Sequence, residues 1–77
     1  MTVARVTEIT STSTKSFEDA INQGVNRATS TLRHVKGAWI KDQRVEIDGG
    51  RIATYQVNML ITFVLEDPEA KTGDLGA

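Results

Sequence analysis

The run from Arg51 to Leu65 constrains this chain more than any other feature. Tyr55, Val57, Met59, Ile61, Phe63 and Leu65 share one parity, and Gln56, Asn58, Leu60, Thr62 and Val64 share the other. Successive side chains of a β-strand point to opposite sides of a sheet, so this period of two predicts one long strand. Its first face is entirely apolar and belongs against a core. Its second sets Leu60 and Val64 among polar neighbours, which suits a surface that meets another subunit or a ligand. Just upstream, Asp48-Gly49-Gly50 is a tight-turn signal, because glycine accepts the positive φ that such turns require. The turn joins the long strand to another, expected over Ala38 to Ile47.

The N-terminal half has a different rhythm. Val3, Val6 and Ile9 give a short, imperfect strand pattern, interrupted at Arg5 and closed by the polar cluster Thr10-Ser11-Thr12-Ser13. That cluster reads as turn and cap chemistry. Ser13 is expected to cap a helix by accepting from the amide of Ser16, Ser16 and Asp19 repeat the same spacing, and the helix should start near Thr14. Phe17, Ala20, Ile21, Gly24, Val25, Ala28 and Leu32 then form one helical stripe. The stripe is narrow and rich in small residues. Gly24 costs about 1 kcal/mol of helix propensity against Ala, so its use implies close approach to a sheet. Arg33 and His34 are expected near the negative end of the helix dipole.

These elements give a β-α-β-β unit of the α+β class. A right-handed crossover from the first strand through the helix makes strands one and two parallel, with the third fitting antiparallel between them, in the order 1-3-2. One helix covers only one face of three strands. The uncovered face is therefore expected to be dried by further copies of the chain, and the working unit is expected to be a symmetric homo-oligomer.

Composition supports that inference. A chain of 77 residues buries only about 60% of the surface its unfolded form exposes. It has no cysteine for disulfides or thiolate metal sites, so self-association is the remaining route to stability. Nine Lys and Arg against ten Asp and Glu leave no field to attract nucleic acid or an anionic membrane. No apolar run is long enough to span a bilayer, and the chain reads as cytoplasmic. Residues 1–67 are expected to form the domain. Pro68 ends the last strand, leaving 68–77 as a polar tail.

No catalytic constellation is present. The single His34 lacks a cysteine partner and is read as a surface or dipole residue. Gly49-Gly50 precedes no helix, so it is a turn and not a phosphate loop. Glu46, Asp48, Glu66 and Asp67 fit a solvated edge better than a metal site. Trp39, the only Trp, shares a face with Gly37 and Lys41 and points away from the helix if Ala38 and Ile40 point towards it. It is read as subunit packing or as a stacking surface for a planar ligand. Gln56, central on the non-helix face, offers a donor and an acceptor that can read the edge of a heteroaromatic ring.

The stretches Thr12 to Ala20, Arg27-Ala28, Thr31-Leu32-Arg33, Asp42 to Ile47, Tyr55-Gln56-Val57 and Phe63 to Glu66 together resemble the dodecins, small flavin-binding proteins. The resemblance implies a hollow homododecamer of 23 symmetry. It also implies flavin (FMN or riboflavin) bound in pairs near two-fold axes and a second site, for coenzyme A, near three-fold axes. In flavin-binding members a Trp at the start of the second strand stacks on the isoalloxazine, and a Gln in the third strand hydrogen-bonds its edge. The Gln matches Gln56, and a frequent second-strand Arg matches Arg44. The Trp position matches Gly37, and an Arg that some members carry near the end of the third strand is replaced by Val64. The cofactor-binding set implied is thus Gln56, Trp39 and Arg44 with the backbone of Lys36, Gly37 and Ala38. Trp39 lies about 6.6 Å along the strand from Gly37 on the same face. It is either a displaced platform or a residue that fills the flavin's space. The alternative is a structural or cation-binding shell like the calcium-binding dodecins, with no flavin site.

Overall fold

A computed structural model describes residues 2–65. The elements run β1 (Ala4–Ser13), α1 (Phe17–Thr31), β2 (Val35–Asp48) and β3 (Arg51–Val64). The strands form one sheet in the order β1-β3-β2, and β3 is antiparallel to both neighbours. The expected β-α-β-β unit is therefore present. Its tail, 68–77, lies outside the described residues, as do Glu66 and Asp67.

Strand β3 occupies the centre because its parity supplies the core. Val57, Met59 and Ile61 are fully buried and pack against Ala20 and Ala28 of the helix, with Ile9, Phe17, Ile21, Val25, Leu32, Val35 and Ile40 around them. Gly24 is buried where the helix packs against the sheet. A Cβ there would run into Cε of Met59 and come within 3.1 Å of Cβ of Ser11. The small-residue stripe is thus a consequence of helix-to-sheet distance.

Three boundaries differ from the sequence expectation. Strand β1 continues to Ser13, because Ser11, Thr12 and Ser13 pair with Val57, Gln56 and Tyr55 instead of turning. The helix consequently begins at Phe17 and not near Thr14. Its N-cap is Ser16, whose hydroxyl accepts from the Asp19 amide at 3.0 Å. Ser13, assigned the cap from sequence, instead accepts from the Lys15 amide at 2.9 Å and donates to the Asp19 carboxylate at 2.6 Å. That hydrogen bond holds the Asp19 carboxyl below its ordinary range, helped by the Gln23 amide and the charge of Lys15 and opposed by partial desolvation.

At the other end the helix stops at Thr31, with Leu32 as C-cap and no basic residue in its last turn. Arg33 and His34 therefore follow directly on the helix's negative end, as expected, but outside its last turn. His34 takes the left-handed conformation at φ 61°, and its carbonyl accepts from the Val64 amide at 3.0 Å. This tight reversal lets β2 begin at Val35, three residues before the expected Ala38. The turn after β2 is as expected, with Gly49 and Gly50 both at positive φ.

Candidate functional site on the open sheet face

The face of the sheet away from α1 is built in rows across the three strands. Along β1, β3 and β2 in turn, the rows are Val6, Thr62 and Gly37; then Glu8, Leu60 and Trp39; then Thr10, Asn58 and Asp42; then Thr12, Gln56 and Arg44. Beyond them, where β1 has ended, Thr54 faces Glu46, and the extra residue at Ala53 then leaves the Ile47 and Ile52 pair on the other side of the sheet. Trp39 is 73% exposed. The middle is polar and cross-linked. Thr10 donates to Asn58 at 2.9 Å, and Asn58 donates to Asp42 at 2.6 Å.

A feature absent from the sequence reading assembles this surface. The β2 register shifts between Val35 and Gly37, between Ile40 and Asp42, and between Glu46 and Ile47. Strict alternation would put Arg44 on the same side as Ala38 and Ile40, under the helix. The extra residue at Lys41 resets the parity, so Asp42 and Arg44 join Trp39 on the open face and Gln43 turns towards Val57. Arg44 thereby becomes the direct cross-strand partner of Gln56. Lys41 itself reaches Glu8 at 3.3 Å, and Arg44 reaches Glu46 at 3.4 Å. The only advance signal for a bulge at this place is the break in alternation where apolar Ala38 to Ile40 is followed by polar Lys41 to Arg44.

The structure thus sets Trp39, Arg44 and Gln56 on one face. They are not gathered at one point. Gln56 lies four residues along β3 from Leu60, the partner of Trp39, a separation of about 13 Å by strand rise. Gly37 and Lys36 flank the first bulge, beyond Trp39. A Cβ on Gly37 would meet no atom within 4 Å, so the place where the resemblance expects an aromatic is open in the single chain. Among the described residues no cluster of three or more His, Cys, Asp or Glu is placed to hold a metal ion. No described helix is long and apolar enough to cross a membrane.

With fold and face in view, comparison with known proteins is direct. The Dodecin family model matches residues 3–66. A dodecin from Streptomyces davaonensis is 35% identical with a TM-score of 0.81, over 86% of this chain and 97% of that one. A dodecin from Streptomyces coelicolor is 33% identical with a TM-score of 0.81, over 86% and 94%. The chain belongs to the dodecin family. It is also similar to the calcium-chelating immunodominant antigen calcium dodecin of Mycobacterium tuberculosis, at 28% identity and a TM-score of 0.73, over 86% of this chain and 94% of that one. Comparison with curated proteins returns no match.

Proposed function

We propose that this chain works as a non-catalytic homododecamer that stores or buffers a flavin, FMN or riboflavin, or a related aromatic ligand. The observation that carries the reading is the bulge at Lys41, which turns Asp42 and Arg44 onto the same face as Trp39 and Gln56. In this reading Trp39 is the stacking surface, displaced from the position now held by Gly37, and Gln56 reads the ring edge. Arg44 flanks Gln56, and the backbone of Lys36, Gly37 and Ala38 completes the wall. The separation of Trp39 and Gln56 favours a pocket closed by the same face of a second copy. Coenzyme A near three-fold axes is supported by the family resemblance alone.

Riboflavin titration, followed by loss of flavin fluorescence, tests the reading. The parent should bind at micromolar concentration. Gln56→Ala should weaken binding by about 1–3 kcal/mol, since the ring edge would then be desolvated without a partner, and should leave the assembly size unchanged. Absence of quenching in the parent, or equal binding by Gln56→Ala, would defeat the flavin reading. The reading left standing would be a shell without a flavin site, for which calcium dodecin is the motivating relative.

A further inference from the structure

We infer that the ligand of the open face is an uncharged ring system, riboflavin in preference to FMN, and that Asp42 sets this preference. The inference rests on the flavin reading above and adds to it the charge of the ligand. Five charged side chains stand on this face between the Leu60 row and the Thr54 row: Glu8, Lys41, Asp42, Arg44 and Glu46. Two ion pairs divide four of them. Lys41 is matched to Glu8 at 3.3 Å and Arg44 to Glu46 at 3.4 Å, each pair about half exposed. Such pairs contribute little to stability, but each cancels its own field. Asp42 remains, with the neutral amide of Asn58 as its hydrogen-bond partner at 2.6 Å.

Its position gives that remaining charge its effect. Asp42 sits in the Asn58 row, between the row of Trp39 and the row of Gln56. Any planar ligand that reaches from Trp39 to Gln56 passes over it. Asn58 is itself tied to Thr10 at 2.9 Å, so the carboxylate is anchored at the centre of the face. The nearest further cation in β2 is Lys36, beside Gly37, whose row lies about 13 Å along the strand from that of Asn58. In a symmetric pairing of two such faces every charge is repeated, so the excess adds instead of cancelling. A phosphate monoester brings a further charge of about −1.5 to −2 into this field. An uncharged flavin brings none, and the two flavins share the same ring, so charge alone separates them here.

Four titrations test this: the parent and Asp42→Asn, each with riboflavin and with FMN, repeated at low and high salt. Asp42→Asn keeps the acceptor oxygen that Asn58 uses and removes only the charge. The parent should favour riboflavin over FMN by roughly fivefold or more at ~10 mM salt, falling towards parity at ~200 mM as screening shortens the range of the field. Asp42→Asn should lose most of that preference at low salt. FMN binding as tightly as riboflavin in the parent would overturn the inference without need of a variant. An unchanged ratio in Asp42→Asn, with assembly size intact, would also overturn it. Failure of the parent to bind either flavin would defeat the underlying flavin reading, and the inference with it.

Discussion

The two faces of β3 are made by alternate residues of one strand, yet they meet different fates. Met59 and Ile61 are fully buried beneath α1, while their neighbours Asn58, Leu60 and Thr62 remain partly exposed on the side with no helix. The centre of the first face is closed in a single chain, where small helix residues approach the sheet and exclude water. The second has Val6 and Trp39 exposed towards one end, with a hydrogen-bonded polar row beside them. Isolated exposed apolar residues need no special cause, but an unpartnered Trp on a sheet face calls for a ligand or a second subunit. The difference teaches that folding is decided on one side of β3, and that assembly and binding belong to the other.

Adjacent truncations should separate the two sides most strongly. Ile61→Ala should cost about 2–5 kcal/mol of stability, the usual effect of opening a cavity in a closed core. Leu60→Ala, one residue away, should leave folding of the subunit nearly unchanged and loosen the assembly. Denaturant unfolding at fixed protein concentration, compared with the concentration dependence of size, reads the contrast. Equal effects of the two variants on both measurements would erase the distinction.

A smaller effect sharpens the account of the closed side. Gly24→Ala gains about 1 kcal/mol in helix propensity, but the new methyl meets the end of buried Met59 and crowds Ser11. Overpacking of this kind costs about 1–3 kcal/mol, so a net loss of roughly 1 kcal/mol is expected in thermal or denaturant unfolding. A more stable Gly24→Ala would mean that Met59 yields freely and that the glycine is not required by close packing.

The closed side was also the more legible one in the sequence. The alternation of Tyr55 to Phe63, the helical stripe and the Gly49-Gly50 turn each arise from local spacing, and each fixed a correct element. Ser13 misled because two serines three residues apart carry the same capping chemistry, and the choice between them depends on how far β1 pairs with β3. A parity argument gave the direction of Trp39 correctly. The same argument fails for Arg44, since the bulge at Lys41 is a property of cross-strand pairing and leaves the count of residues along β2 unmarked. The meeting of Arg44 with Gln56 was therefore carried by family resemblance and explained only by the register.

The central claim, that the open face is covered by further copies of the same chain, is tested most directly by sedimentation of the purified protein at micromolar concentration. The account predicts a species of about twelve subunits with no stable monomer, because the second face of β3 cannot stay dry alone. A folded, monodisperse monomer of 8.4 kDa would contradict it.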